Sequence, residues 1–281
     1  MKRVSDPLSQ MGADITLSDT GSLPAIIHAN QCLKGITYEM PVASAQVKSA
    51  ILFAGMQAEG ETTVIERLPS RDHTERMLQQ FGGQISVSGN QITVKKQPLL
   101  KAQTVEVPAD ISSAAFFLVA GLIVPNSKLR LTAVETNPTR DGILRLLKRM
   151  GASFELTNVA DTAEGFADIL VTSQTLHGIQ ITAADIPSAV DELPIIALAA
   201  TQAIGDTVIS GAEELRFKES DRITAVVTEL KKLGANIEEK PDGMIIHGQP
   251  NLHTTEPVVL EAYHDHRIAM MDAIAALVTD G

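Results

Sequence analysis

The sequence predicts an α/β (α+β) chain of two lobes, each built from repeated β-α-β-α-β-β units. Three observations carry that expectation. Met11-Gly12-Ala13, Phe81-Gly82-Gly83, Met150-Gly151-Ala152 and Leu233-Gly234-Ala235 repeat one kind of helix ending, with glycines 70, 69 and 83 residues apart. Between these endings, short apolar runs suited to strands alternate with runs of helical period. The length of 281 residues, with 44% hydrophobic and 20% charged residues, suits two globular domains.

A helix is expected over residues 1–11. The first complete unit reads as a strand over 33–39, a helix over 44–58, a strand over 62–66 and a helix over 71–81. It closes with a hairpin of 85–87 and 91–94 around Gly89-Asn90. The second unit starts at Val105 and continues through a helix at 111–124, a strand at 129–134, a helix at 140–150 and strands at 154–156 and 169–172. The third uses 178–181, 192–203, 207–209, 221–233, 236–238 and 244–247, and a half-unit follows with a strand at 258–260 and a helix at 265–277. Gln97-Pro98-Leu99-Leu100-Lys101 is the expected boundary. It leaves 1–104 as part of a first lobe (the end of one repeat plus a complete one) and 105–281 as a second (two complete repeats and the half-repeat). A closing helix without the strands it should cover predicts a truncated chain.

The net charge of −11 excludes a general nucleic-acid surface, which needs a basic patch, but leaves room for a local small-anion site. The single cysteine, Cys32 in Asn30-Gln31-Cys32-Leu33, leaves no internal disulfide and fits a reducing cytoplasm; it reads as an inert small side chain. Apolar runs such as 114–124 are too short to span a bilayer, and the start carries no secretory signal.

The chemistry concentrates at helix starts, above all in Arg216-Phe217-Lys218-Glu219-Ser220-Asp221-Arg222. Ile223, Val226, Val227, Leu230 and Leu233 follow at helical spacing, and Lys231-Lys232-Leu233-Gly234 is a good stop. Ser220 reads as the N-cap. Lys218 and Arg222 sit beside the positive end of the dipole, each at a cost of roughly 0.3–1 kcal/mol unless an anion compensates. Spare N–H groups with two cations suit phosphate or carboxylate, and Glu219 among them suits acid–base work. A solvated charged helix start accounts for the same residues equally well. Ser44 with Gln46, Ser112-Ser113, Asp191-Glu192, Asp265-His266-Arg267, Ser70-Arg71-Asp72 and Thr139-Arg140-Asp141 open the other helices. If the units share an orientation, these starts from both lobes face a cleft that attracts a polyanionic small molecule. Each has a plainer reading: Ser44 as a cap, Asp191 as a first-turn acid, Arg140 beside Asp141 as a structural ion pair. His264 and His266, two apart, point to different faces of a helix, which argues against zinc. The sequence holds no Walker or dinucleotide phosphate loop.

Pro41-Val42-Ala43-Ser44-Ala45-Gln46-Val47-Lys48-Ser49-Ala50, Ser70-Arg71-Asp72-His73-Thr74-Glu75-Arg76, Asp110-Ile111-Ser112-Ser113-Ala114, Asn137-Pro138-Thr139-Arg140, the Lys218-to-Arg222 stretch and Tyr263-His264-Asp265-His266-Arg267 occur in this order. Together they resemble the 5-enolpyruvylshikimate-3-phosphate synthase (3-phosphoshikimate 1-carboxyvinyltransferase) family across essentially the whole chain. The resemblance implies the two-lobed enolpyruvyl-transferase fold and transfer of the enolpyruvyl group of phosphoenolpyruvate to the 5-hydroxyl of shikimate 3-phosphate, releasing phosphate on the way to chorismate. It implies that Ser44, Ala45, Gln46, Arg71, Asp191 and Lys218 hold shikimate 3-phosphate, with alanine at 45 where some members have a second serine. Gln46, Arg222, Arg267 and His266 would hold phosphoenolpyruvate, and Asp191, Lys218 and Glu219 would do the catalysis, Glu219 protonating the enol methylene. It further implies no metal, no organic cofactor, no nucleic-acid or membrane partner, and a cytoplasmic monomer. The family's early Lys-Ser and Arg motifs would lie upstream of Met1 and its late lysine beyond Gly281, so the 281 residues alone are expected to show no measurable turnover. The nearest alternatives are a UDP-N-acetylglucosamine enolpyruvyl transferase and an inert fragment or binding scaffold. The former normally has an active-site cysteine in a lobe loop, a context Cys32 lacks.

Overall fold

The computed structural model describes residues 1–29, 32–96, 99–160, 162 and 164–280. Asn30 and Gln31 beside Cys32, and Gln97 and Pro98 at the expected lobe boundary, lie outside the described residues. The chain divides into two compact units, Met1–Glu106 and Val107–Gly281.

The first unit opens with α1 (Lys2–Gln10) and a separate antiparallel pair, β1 (Asp14–Leu17) and β2 (Ala25–His28). A repeat follows: β3 (Thr37–Glu39), α2 (Ala45–Gly55), β4 (Glu61–Ile65), α3 (His73–Gln80), β5 (Ile85–Ser88) and β6 (Gln91–Lys95). Its sheet has the order β3-β4-β6-β5, with β3 parallel to β4 and the other pairs antiparallel. Gly89 takes the hairpin turn at φ 60°, a conformation glycine adopts without steric penalty. Ile51 and Leu52 from α2, Val64 from β4, and Ile92 and Val94 from β6 fill the core.

The second unit holds α4 (Ile111–Ile123), β7 (Lys128–Glu135), α5 (Gly142–Arg149), β8 (Glu155–Ala160) and β9 (Phe166–Thr172), in a sheet of order β7-β9-β8. No strand forms at Val105; the expected first strand is reduced to one parallel bridge between Ala109 and Val134. The next repeat is β10 (Gln180–Ile181), α6 (Ile186–Ala189), α7 (Leu193–Thr201), β11 (Gly205–Ile209), α8 (Arg222–Lys232), β12 (Asn236–Lys240) and β13 (Gly243–Gly248), with a 3-10 turn at Glu213–Phe217. Its sheet order, β10-β11-β13-β12, and its strand directions reproduce those of the first unit's sheet. The chain closes with β14 (Leu252–His253), α9 (His266–Ala275) and β15 (Thr279–Asp280), β14 and β15 being parallel. The strand expected at 258–260 is irregular; the apolar run there has no ladder partner, and the pairing falls to Leu252 and His253 instead.

All four glycines of the repeated endings are left-handed, with φ 96° at Gly12, 77° at Gly82, 95° at Gly151 and 87° at Gly234. Each makes the same pair of backbone bonds. After α8, Gly234 donates to Lys231 and Ala235 to Leu230; after α1, Gly12 donates to Ser9 and Ala13 to Leu8. Gly82-Gly83 and Gly151-Ala152 repeat the arrangement, which is a Schellman stop. Among the described residues, no helix is long and apolar enough to cross a membrane.

α7 is buried along its whole length, which suits its nearly all-apolar sequence, Leu-Pro-Ile-Ile-Ala-Leu-Ala-Ala-Thr. It packs against α4, α8 and α9, and these contacts fix where the starts of those helices lie.

Candidate anion site

Four helix starts in the second unit are stitched together by side chains. α4 is capped by Asp110, which accepts from the Ser113 N–H at 2.9 Å. α8 is capped by Asp221, whose carboxylate accepts from Thr224 N–H at 3.1 Å. Ser220 is therefore not the cap; its hydroxyl is drawn off to Asp265, at 3.1 Å. Asp265 caps α9 by accepting from the Arg267 N–H at 3.0 Å.

Arg222, the first residue of α8, is 1% exposed and sits among these acceptors. Its Nε donates to Asp265 at 2.8 Å, Nη1 to Asp191 at 3.4 Å and Nη2 to Glu219 at 2.5 Å. Burial by itself would raise the Asp265 carboxyl, but bonds from Arg222, the Arg267 N–H and Ser220 outweigh it and hold the group below its ordinary value. Arg267 donates to the Asp191 carbonyl at 3.2 Å and lies 3.7 Å from the Asp191 carboxylate and 4.0 Å from Glu192. Glu192 is buried with one oxygen lacking a hydrogen bond, and burial pushes its carboxyl up, a bond from Ser112 opposing it.

The structure thus brings Asp191, Glu219, Arg222 and Arg267 together. Lys218 turns to Glu214, at 3.0 Å, and His266 is exposed at the first position of α9. Arg140 does not pair with Asp141, which binds Arg145; it bonds Asp110 at 2.9 Å, Ser112 at 2.8 Å and Glu135 at 3.2 Å. His264 precedes α9 rather than lying on it.

In the first unit, Ser44 caps α2, accepting from Val47 N–H at 3.4 Å, with Ala45 half-buried and Gln46 exposed in the first turn. Half-buried Arg71 lies in the segment between β4 and α3. A buried cluster anchors that segment to α2: Lys48 Nζ reaches Glu75 at 2.6 Å, Glu66 at 3.3 Å and the Ser70 carbonyl at 3.5 Å. Glu66 in turn accepts from the Ser70 N–H at 3.1 Å.

Asp265, Glu192 and Ser220 join the cluster although sequence reasoning did not assign them a site role. The signals were there: Glu192 and Asp265 open helices, and Ser220 reads as a cap. A second missed group lies beside it. Glu229 on α8 is fully buried and accepts from the Tyr263 hydroxyl at 2.7 Å, the Glu261 N–H at 3.0 Å and Lys232 at 2.8 Å. The bond to Glu229, with burial, pushes the Tyr263 hydroxyl up to about 12. Burial and then the charge of Glu229 push the nearby Asp272 carboxyl up to about 7.

Taken together, a buried arginine and its flanking carboxylates gather at the capped starts of α8 and α9, beside the segment that leads into α7, on the fold of the enolpyruvyl transferases. The enolpyruvyl transferase NikO of Streptomyces tendae aligns over 99% of this chain and 64% of its own with a TM-score of 0.71 at 19% identity, which shows the fold alone. EPSP synthase from Acinetobacter baumannii aligns over 99% of this chain and 64% of its own at 43% identity and a TM-score of 0.86. The 3-phosphoshikimate 1-carboxyvinyltransferase of Leuconostoc citreum is 68% identical over all of this chain and 65% of its own length. Residues 1–281 match the family described as EPSP synthase (3-phosphoshikimate 1-carboxyvinyltransferase), and the chain belongs to that family. It spans about 65% of the length of the relatives it matches.

Proposed function

We propose that the protein to which these residues belong transfers the enolpyruvyl group of phosphoenolpyruvate to the 5-hydroxyl of shikimate 3-phosphate and releases phosphate, acting as a cytoplasmic monomer. The observation that carries this reading is the Arg222–Asp191–Glu219–Arg267 cluster, set at convergent helix starts in a chain of this family. In this reading Arg222 and Arg267 neutralise the carboxylate and phosphate of phosphoenolpyruvate, and His266 and Gln46 are assigned to the same substrate. Ser44, Gln46 and Arg71 take the phosphate and ring of the acceptor, and Lys218 swings from Glu214 to the substrate anions.

Protonation of C3 of the enol by Glu219 leaves a cationic C2. The ring hydroxyl attacks C2 and gives its proton to Asp191, forming a tetrahedral ketal. Return of the C3 proton to Glu219, with phosphate leaving C2 and taking up the proton held by Asp191, regenerates the enol ether. The Asp191 carboxylate accepts a hydrogen bond from Arg222 and pairs with Arg267 at 3.7 Å, while Arg267 also donates to the Asp191 carbonyl, which keeps the residue oriented.

The test is phosphate release by the protein completed to its relatives' length, with phosphoenolpyruvate and either shikimate 3-phosphate or UDP-N-acetylglucosamine. Release that requires shikimate 3-phosphate is expected. Release with the sugar nucleotide instead, or with neither acceptor, overturns the proposal.

A further inference from the structure

Tyr263 and His264 are both left-handed, at φ 51° and 54°, although neither is glycine. Such a conformation persists in bulky residues only where the surroundings over-determine it. The surroundings here are two attachments to one helix. Arg222 and Glu229 lie on α8 seven residues apart, two helical turns, or about 10 Å along the axis. Arg222 grips Asp265 and Glu229 grips Tyr263, so the chain entering α9 is fastened on both sides of His264. Glu229 adds the Glu261 N–H, and Asp265 N–H donates back to the Ala262 carbonyl at 2.7 Å, closing the turn.

We infer that Tyr263 and Glu229 are positioning residues of the anion site: their partly buried hydrogen bond holds the left-handed turn that aims Asp265, His266 and Arg267. The inference rests on the reading of that site as the phosphoenolpyruvate site. Both act on the site through the backbone of 263–265, which runs directly into Asp265 and α9. Lys232 bonds both Glu229 oxygens, so the acceptor stays charged and fixed whatever occupies the site. Asp272, buried on α9 with an oxygen lacking a hydrogen bond, lies close enough to the same carboxylate to feel its charge.

The experiment compares wild type with Tyr263→Phe, which removes the hydroxyl and keeps the ring. Amide hydrogen exchange over residues 264–267 is followed in the 281-residue chain without substrate, and KM for each substrate in the protein completed to its relatives' length. Exchange at 264–267 is expected to quicken about tenfold, and KM for phosphoenolpyruvate to rise about tenfold while that for shikimate 3-phosphate stays within about twofold. Glu229→Gln, which retains an acceptor for the hydroxyl, is expected to show a smaller change in the same direction. Unchanged exchange at 264–267, or equal changes in both KM values, overturns the inference. If the wild-type protein releases no phosphate, the proposed reaction falls and the exchange comparison alone decides the role of Tyr263.

Discussion

Arg222 carries a full charge where solvent does not reach, and its worth is set by what remains when it or its partner is removed. Arg222→Met leaves Asp265 buried and unpaired, an error worth about 3–5 kcal/mol. Adding Asp265→Asn removes the stranded charge, so the double variant is expected to recover part of the loss in urea unfolding. Additive losses would mean that the two residues do not act as a pair. Glu219 is the contrasting case, half exposed and resting on the same guanidinium at 2.5 Å. Glu219→Gln keeps an acceptor for Arg222 but loses the half-exposed charge and the transferable proton, and a half-exposed charge adds little to stability. Turnover of the completed protein is expected to fall about 10²–10⁴-fold with its unfolding midpoint unchanged. A fall in midpoint with full turnover would assign Glu219 to helix solvation instead.

At the scale of elements, the helix endings were legible because their cause is local. Only glycine accepts the left-handed angle without strain, so four glycines announce four stops. Their surroundings still rank them. A Cβ on Gly234 would lie 2.8 Å from the His253 carbonyl, whereas one on Gly82 meets nothing nearer than the Lys101 side chain at 3.6 Å. Gly82→Ala is expected to cost roughly 1–2 kcal/mol from backbone strain alone, and Gly234→Ala clearly more, in chemical denaturation. Equal losses would show that the backbone at His253 yields freely. What was not legible is nonlocal. Ser220 and Asp221 are equally good caps by type, and the choice falls to Asp221 because Asp265, far along the chain, claims the serine. Apolar residues at 258–260 resemble a strand, but a strand needs a neighbour and Thr279-Asp280 pairs with Leu252-His253. The charged helix start at Lys218-to-Arg222 was visible in sequence, while the burial of Arg222 was not, since nothing in its neighbours reports a partner on α9.

For the whole molecule, carboxylates whose acidity the fold shifts fall into two opposed groups. Asp110, Asp221, Glu229 and Asp265 are held low, each by hydrogen bonds that outweigh burial, so the stability they contribute is present above the usual carboxylate range and lost as pH falls. Asp272 is the reverse, raised from 3.8 to about 7 by burial and by Glu229. Between those values the unfolded chain is ionised there and the folded chain protonated. Its contribution is therefore full below the lower value and lost as pH rises through the upper one. Glu75 and Glu192, raised chiefly by burial, act in the same sense. Asp272→Asn removes the opposing charge beside Glu229. Its melting temperature relative to wild type is expected to rise between pH 5 and pH 8, by the equivalent of roughly 2–4 kcal/mol. A difference that stays constant across that range would place the Asp272 carboxyl in ordinary solvent.

The four identical stops also bear on how such a chain tolerates change. A joint whose angle is fixed by one glycine and two backbone bonds leaves the side chain before it free to serve the core, and those side chains are the large apolar Met, Phe, Met and Leu. Each repeat can then drift in sequence while still delivering its next strand in the same direction. Helices can lengthen or exchange cargo at their starts, where the charged residues gather, without disturbing the scaffold that begins at their ends.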